Sequence, residues 1–229
     1  MLLSFLYGEG DIQTIIINVL AGIFVVFFTM PVHEFAHAFS AYKLGDKAQK
    51  YKGRLTLNPL SHIDPLGALM IVLVGFGWAK PVEINPLNFK HPKLYMAISA
   101  VAGPLSNLIC ALIIRIINYV LFYTTNMPYT NFGYAISLFL FYAVWINISL
   151  AVFNLIPIPP LDGSKVLNAI LPARIYFKIM KYERYIIIAV MLLIFLRVLN
   201  VPLTWLTQNV FYGIDYIAFL PFKLILGIN

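Results

Sequence analysis

The stretch that decides the fold is "FFTMPVHEFAHAFSAYKLG", residues 27–45, in which two histidines and a glutamate interrupt an apolar run. The residues before it, "IIINVLAGIFVVFFTM" at 15–30, carry no charge at all. Ionisable side chains within a membrane segment are costly and are read as functional by default. His33, Glu34 and His37 are therefore predicted to do chemistry at membrane depth.

The composition of the chain is that of a membrane protein. Its 229 residues are 61% hydrophobic and only 11% charged, with a mean hydropathy of +0.86, whereas a soluble domain carries about 25% charged residues. The net charge is +7, but the basic residues cluster in polar loops and do not alternate with aromatic residues, so we predict no nucleic acid partner. The single cysteine, Cys110, cannot form an intrachain disulfide. The first residues lack the basic segment of a cleaved signal peptide.

Five apolar segments predict an all-α polytopic membrane protein with about five transmembrane helices. The predicted segments are residues 12–44, 94–122, 132–153, 185–199 and 210–226. The first would be about 50 Å long, so it is expected to tilt or to project from the bilayer, with a kink at Pro31. The fifth contains Asp215 and Pro221, and could instead lie along the membrane interface.

Two polar stretches interrupt this pattern. In residues 46–93, "GRLTLNP" alternates like a strand and predicts a small β-hairpin turning near Gly53. The apolar residues 68–77 are too few to span a membrane and predict a re-entrant segment. In residues 156–165, "IPIPPLDGSK", prolines and a glycine exclude a regular helix.

Basic residues predict the orientation of the chain. Eight of the 16 Lys and Arg residues lie in or beside the first polar stretch, and five more lie between the third and fourth apolar segments. Such an excess marks the cytoplasmic side of a membrane. We therefore predict an external N-terminus, with both large loops and the histidine motif toward the cytoplasm.

The two histidines have the spacing of metal ligands. Residues four apart lie on one face of a helix, and H-E-x-x-H on a helix is the signature of zinc hydrolases, with the glutamate as general base. The alternative is a chance pattern of solvent-exposed side chains, which an apolar segment does not favour.

A catalytic zinc site needs a third protein ligand and an open fourth position. Asp46, Glu83 and Glu183 lie in Lys-rich polar stretches and are expected to be solvated. Asp64 and Asp162 remain as candidates, with Asp215 a poorer one. Asp162 is favoured because irregular backbone at membrane depth occurs only where it is buried in protein or lines a cavity. The alternative, that Asp162 caps a helix starting near Ser164, is equally open on spacing alone.

Other polar residues are expected to be structural. His62 and His91 are predicted to be loop histidines, with His62 and Asp64 holding their loop by hydrogen bonds. Gly103 is expected to permit close helix packing. Arg115 is a charge within a span that could extend its head group to the interface.

Three motifs together resemble the site-2 protease family of intramembrane zinc metalloproteases. They are "HEFAH", "GPLSN" at 103–107 and "NLIPIPPLDG" at 154–163, and the loops "NPLSHIDPLG" and "GWAKPVEINP" are similar to those of its small prokaryotic members. No PDZ or CBS module is recognisable. The resemblance implies one zinc ion per chain, bound by His33, His37 and Asp162, with Glu34 as the base. It also implies a catalytic role for Asn154, whose amide could donate to the oxyanion or to substrate backbone; closing a helix end is an equally open reading.

The resemblance implies a single domain over residues 1–229, with a catalytic core at about 12–170 and C-terminal helices at about 171–229. The expected function is hydrolysis of peptide bonds within or near transmembrane segments of other membrane proteins in a prokaryotic cell membrane. Single-span proteins or signal-peptide remnants are the expected substrates, by analogy with the family. The alternatives are a metal or ion transporter and a catalytically silent membrane scaffold. Nothing in the sequence indicates an oligomeric state.

Overall fold

The computed structural model describes residues 11–74, 78–125 and 130–226, and these are mostly helical. The α-helices are α1 (Ile12–Phe24), α2 (Met30–Leu44), α3 (Ala48–Tyr51), α4 (Pro65–Val74), α5 (Pro92–Thr124), α6 (Asn131–Asn154), α7 (Asp162–Ile170), α8 (Ala173–Met180), α9 (Glu183–Phe195) and α10 (Asn200–Leu226). The predicted all-α class is confirmed.

The first predicted segment forms one continuous helix of 33 residues, Ile12–Leu44. Its two α-helical parts, α1 and α2, are joined by a π-helical turn at Val25–Thr29. Pro31 lies in the first turn of α2 and has no N–H to donate to the preceding turn. The irregularity expected at Pro31 is therefore a π turn, a feature that is frequent near functional sites.

Among the described residues, three helices are long and apolar enough to cross a membrane: Ile12–Leu44, Pro92–Thr124 and Asn131–Asn154. These correspond to the first three predicted segments. The fourth is the 13-residue helix α9, about 20 Å long, which is shorter than the hydrocarbon core of a bilayer. The fifth lies in α10, which has 27 residues but includes Asp215 and Lys223. Spanning by these last two helices stays a prediction.

Helix α5 is the centre of the bundle, because α2, α6, α7 and α10 all pack against it. The buried core between α1, α5 and α6 contains three alanines that are fully buried, Ala21, Ala111 and Ala143. Small side chains let helix backbones approach closely. Close packing matters in a membrane because lipid tails are as apolar as the side chains, so burying apolar surface between helices gains little free energy there.

One ion pair joins α5 to the C-terminal helix α10. Arg115 Nε donates to Asp215 Oδ1 at 2.6 Å, and the Tyr119 hydroxyl donates to the same oxygen at 2.8 Å. The guanidinium also lies over the rings of Tyr119 and Phe211. Arg115 is thus paired within the bundle, which gives Asp215 a structural role that its sequence position did not suggest.

The predicted β-hairpin is not confirmed. The described part of residues 46–93 holds one isolated antiparallel bridge, between Ile63 and Ala79, and no longer strand. The Arg54 guanidinium braces this region by donating to the carbonyls of Ser61 and Pro81. The predicted re-entrant segment is helical through Val74, and its last residues, 75–77, lie outside the described residues.

Asp46 corrects one expectation, because it is fully buried rather than solvated. Its carboxylate accepts hydrogen bonds from Gln49 Nε2 at 2.7 Å, Asn88 Nδ2 at 2.6 Å and the backbone amide of Asn85 at 3.1 Å. Burial raises the pKa of this carboxyl, but the hydrogen bonds outweigh burial and hold the pKa below its ordinary value. The lysines near Asp46 in the sequence could not reveal the two asparagine partners, which lie 39 and 42 residues away along the chain. Glu83, by contrast, is exposed as expected.

Candidate metal centre

The two motif histidines meet inside the helix bundle. His33 and His37 lie on α2 and are only 7% and 4% exposed. Their Nε2 atoms are 3.0 Å apart, and the two rings are nearly perpendicular. Glu34, between them in sequence, is buried to the same degree. The pattern of four-residue spacing has therefore placed two imidazole nitrogens at one point in the protein interior.

Asp162 reaches the same point from a distant part of the chain. Its Oδ2 atom lies 3.1 Å from His37 Nε2 and 3.5 Å from His33 Nε2. The ligand atoms of the three residues all lie within 4.8 Å of one another. Asp162 is the first residue of α7, the N-cap position belongs to Leu161, and no side chain caps the helix. The capping alternative for Asp162 is therefore wrong.

Helix α7 is held in place at both ends. A Cβ on Gly163 would overlap the carbonyl oxygens of Leu155 and Ile156, so the absence of a side chain lets the start of α7 pack directly on the irregular chain after α6. At the other end, Lys93 Nζ donates to the Leu171 carbonyl at 2.9 Å, which ties the end of α7 to the start of α5. These contacts fix the direction in which Asp162 projects.

A backbone carbonyl orients His37. Its Nδ1 lies 2.7 Å from the Ser99 carbonyl oxygen on α5, and because a carbonyl only accepts, Nδ1 must carry the proton and donate it. The lone pair of neutral His37 is then on Nε2, which faces His33 and Asp162. Hydrogen bonds of this kind fix the tautomer of metal-binding histidines. Ser99 was missed at the sequence level, because a backbone acceptor leaves no trace in the choice of side chain.

Gly103 lets the backbone of α5 pack directly against the two imidazoles. A Cβ at this position would overlap His37 Nε2 and lie 2.7 Å from His33 Nε2. The close packing expected at Gly103 is therefore found, and it is a packing of α5 on the histidine side chains.

The donor atoms fit a divalent cation. Two imidazole nitrogens and one carboxylate oxygen face each other. In the described contacts, the groups that can neutralise the carboxylate are His33, His37 and Lys165, whose Nζ lies 3.0 Å from Asp162 Oδ1. Buried His33 Nδ1 has no hydrogen-bond partner. Two nitrogens and one oxygen form the three-residue donor set that a catalytic zinc uses, with its fourth position left for water or substrate.

The charges around the cluster favour the ionised form of Asp162. The Lys165 ammonium lies 3.0 Å from Oδ1 and stabilises the negative charge of the carboxylate by a charge-assisted hydrogen bond. Glu34 follows His33 directly in α2 and is likewise buried.

The other candidate residues lie apart from this cluster. The Asn154 amide donates to the Leu150 carbonyl at 3.0 Å, within its own helix α6, and its catalytic role stays a prediction. His62 is buried and its Nε2 donates to the Thr56 carbonyl at 2.8 Å. Asp64 accepts from the Gly67 amide at the start of α4. The loop-holding interpretation of His62 and Asp64 is confirmed, although the two hold separate parts of the loop.

Comparison with known proteins gives a consistent result. The model of peptidase family M50 matches residues 128–198, a range that includes Asp162. A Bacillus subtilis protein named "Putative zinc metalloprotease YwhC" is 41% identical over 81% of this chain and 83% of its own length. "Putative zinc metalloprotease Rip2" of Mycolicibacterium smegmatis is 27% identical over 81% of this chain and 69% of its own. "Zinc metalloprotease MJ0392" of Methanocaldococcus jannaschii is 28% identical over 83% and 47%, respectively. No solved structure matches the chain.

Proposed function

This chain belongs to peptidase family M50, the site-2 protease family, and on that premise we propose an intramembrane zinc metalloprotease whose metal is held by His33, His37 and Asp162. The observation that carries the proposal is the convergence of three buried ligand atoms from α2 and α7. Both histidines belong to a candidate membrane span, which supports cleavage at membrane depth. One zinc ion per chain satisfies this ligand set.

When bound, zinc supplies Lewis acidity that polarises the scissile carbonyl and activates water for attack. The protein's residues do the remaining work. Ser99 holds His37 in the tautomer that presents Nε2 to the metal. Glu34 accepts a proton from the attacking water and passes it to the leaving amine, as a general base and then a general acid. Its burial beside the cluster supports this role.

Asn154 is proposed to assist catalysis with its side-chain amide. Its donation to Leu150 is a bond within one helix, so a rotation of the side chain would free the amide for a substrate carbonyl or the oxyanion. Asn154 ends helix α6, eight residues before Asp162, and this position close to α7 in the chain supports the role.

The substrate is proposed to be a transmembrane segment of another protein, from a single-span protein or a signal-peptide remnant. A membrane helix hides its carbonyl groups in internal hydrogen bonds, so the substrate must unwind locally before it is cut.

The protein is proposed to sit in a prokaryotic cell membrane with its N-terminus outside. The placement of basic residues supports this orientation, since 13 of 16 lie in or beside the two large loops. The metal centre would then face the cytoplasmic half of the bilayer.

A metal transporter is the second candidate, because intramembrane ionisable residues often line ion pathways. It is not favoured, because the described residues contain one group of three metal-binding side chains rather than a series along the bundle, and because the relatives are named as proteases.

The deciding experiment replaces the proposed base. Glu34→Gln keeps the shape of the side chain but removes its ability to accept a proton. We expect the purified variant to retain one zinc per chain, while cleavage of a membrane-embedded reporter falls by a factor of about 10²–10⁴. The control is Glu83→Gln, at an exposed glutamate, which should cleave at the wild-type rate. A Glu34→Gln protein that cleaves normally would show that another residue is the base.

A further inference from the structure

The two oxygen atoms of the Asp162 carboxylate have different neighbours. Its Oδ2 atom faces the two imidazoles at 3.1 and 3.5 Å, and its Oδ1 atom lies 3.0 Å from Lys165 Nζ. One oxygen is thus directed at the metal position, while the other already accepts a hydrogen bond from a cation.

The start of helix α7 brings Lys165 close to Asp162. Residues three apart lie on the same face of a helix, so the first turn of α7 brings Lys165 over Asp162. The start of that turn is fixed by the close approach of Gly163 to the carbonyls of Leu155 and Ile156. The Asp162 side chain is 10% exposed and that of Lys165 30%, so the pair lies at the edge of the cluster and is only partly screened by solvent.

The division matters because a carboxylate can bind a metal through one oxygen or through both. Binding through both oxygens would occupy coordination space that a catalytic zinc keeps open for water and substrate. A hydrogen bond from Lys165 to Oδ1 opposes that mode, since the bond must break before Oδ1 can reach the metal. Partners of this kind, one step removed from the metal, orient its ligands.

We propose that Lys165 is a positioning residue that restricts Asp162 to single-oxygen coordination and so keeps a coordination position open for the reaction. This rests on the ligand set proposed above. Lys165 does not bind the metal itself, so the metal content of the protein should survive its loss, while the coordination geometry should not.

The test is Lys165→Met in the full-length protein, loaded with Co²⁺ in place of zinc. Co²⁺ absorbs visible light, and its absorption weakens when a fifth ligand joins four. We expect one metal per chain, a weaker visible spectrum than that of the wild type, and reporter cleavage by the zinc form reduced by a factor of about 10–100. Lys165→Arg, whose guanidinium can still donate to Oδ1, should restore both spectrum and cleavage.

Three further variants separate the possible outcomes. Lys165→Ser, whose hydroxyl is too short to reach Oδ1, keeps a polar side chain if the methionine variant does not fold, and it should give the same weakened spectrum. Lys178→Met, at an exposed lysine on α8, should match the wild type. Asp162→Asn should lose the metal; if it retains the full amount, the ligand set itself is wrong. If Asp162→Asn loses the metal but Lys165→Met and Lys165→Ser keep the wild-type cobalt spectrum, only the positioning role is overturned.

Discussion

At the residue scale, the metal centre depends on an absent side chain. Gly103 lies on α5 directly opposite the two imidazole nitrogens, and a Cβ there would fall within overlap distance of His37 Nε2. The His37 ring is itself held by the hydrogen bond to Ser99, so it has little freedom to move aside. The site is therefore sensitive to the addition of one methyl group.

We predict that Gly103→Ala loses most of its zinc. The added methyl group would occupy the space in front of the imidazoles, and alanine is otherwise favourable in a helix, by about 1 kcal/mol relative to glycine. Zinc per chain measured on the purified variant should fall well below one, while the protein remains folded by circular dichroism.

The matched control for this substitution is Gly213→Ala on α10, where an added Cβ would meet no atom within 4 Å. It should bind zinc like the wild type. Full zinc occupancy in Gly103→Ala would mean that the cation does not use the side of the cluster that faces α5.

The sequence was sufficient to identify the residues whose chemistry is local. The spacing of His33 and His37 and the position of Glu34 follow from helix periodicity alone. The role of Asp162 could be narrowed to a metal ligand or a helix cap. The local sequence could not decide between these two roles, because it does not fix where a side chain points. Lys165 had a usable signal, its three-residue spacing from Asp162. Gly103 had none, because its proximity to the histidines depends on how α5 packs against α2.

At the element scale, Asp46 connects the end of α2 to a distant turn. Its carboxylate accepts bonds from Gln49 just after the helix and from Asn85 and Asn88 in the turn at 85–88. Because α2 carries both histidines, this buried group stabilises the C-terminal end of the helix on which the candidate metal ligands lie.

We predict that Asp46→Asn destabilises the protein by about 1–3 kcal/mol at pH 7, because the amide leaves buried donors without an acceptor. Thermal unfolding in detergent measures the effect, and Glu83→Gln, which removes an exposed ion pair, should cost less than about 1 kcal/mol.

The stability difference between the wild type and Asp46→Asn should also depend on pH. The pKa of Asp46 is lower in the folded protein than its ordinary value of 3.8, so its contribution is complete above that value and is lost as the pH falls through the folded-state pKa. The stability difference between wild type and Asp46→Asn should stay constant from pH 7 to 5 and shrink below 3.8. A difference that shrinks already between pH 7 and 5 would show that Asp46 is not held in its ionised form.

The helices were predictable where hydrophobic runs are long. The first three segments matched their predicted boundaries within about two residues, since each run exceeds the thickness of a bilayer. The hairpin prediction failed to be confirmed because alternation over "GRLTLNP" also suits an extended loop, here held by the Arg54 guanidinium. The π turn before Pro31 could not be specified, because proline predicts an irregularity but not its form.

At the scale of the whole molecule, orientation in the membrane is open to direct measurement. With Cys110→Ala as the background, single cysteines introduced by Tyr51→Cys and Thr124→Cys report on opposite ends of the bundle, and both positions are exposed. We predict that a membrane-impermeant thiol reagent modifies Thr124→Cys in intact spheroplasts, but modifies Tyr51→Cys only after permeabilisation. The reverse pattern would place the metal centre toward the outer face.

The tertiary arrangement of the bundle depends on contacts between helices that cannot be predicted from any one segment alone. Helix α5 is the shared support, since α2, which carries His33 and His37, and α7, which carries Asp162, both pack against it. The Arg115–Asp215 pair fastens α10 to the same helix. Each partner alone looked like a misplaced charge in an apolar run, and only their pairing across 100 residues explains both.

That pairing bears on how the protein is made. Translation at about 5–20 residues per second delivers the Arg115 guanidinium several seconds before the carboxylate that neutralises it. During that interval the nascent chain carries a charge in the bilayer that costs about 2.5–3.5 kcal/mol at the centre of a helix. Docking of α10 is therefore the step that brings Asp215 to this guanidinium and neutralises its charge within the bundle.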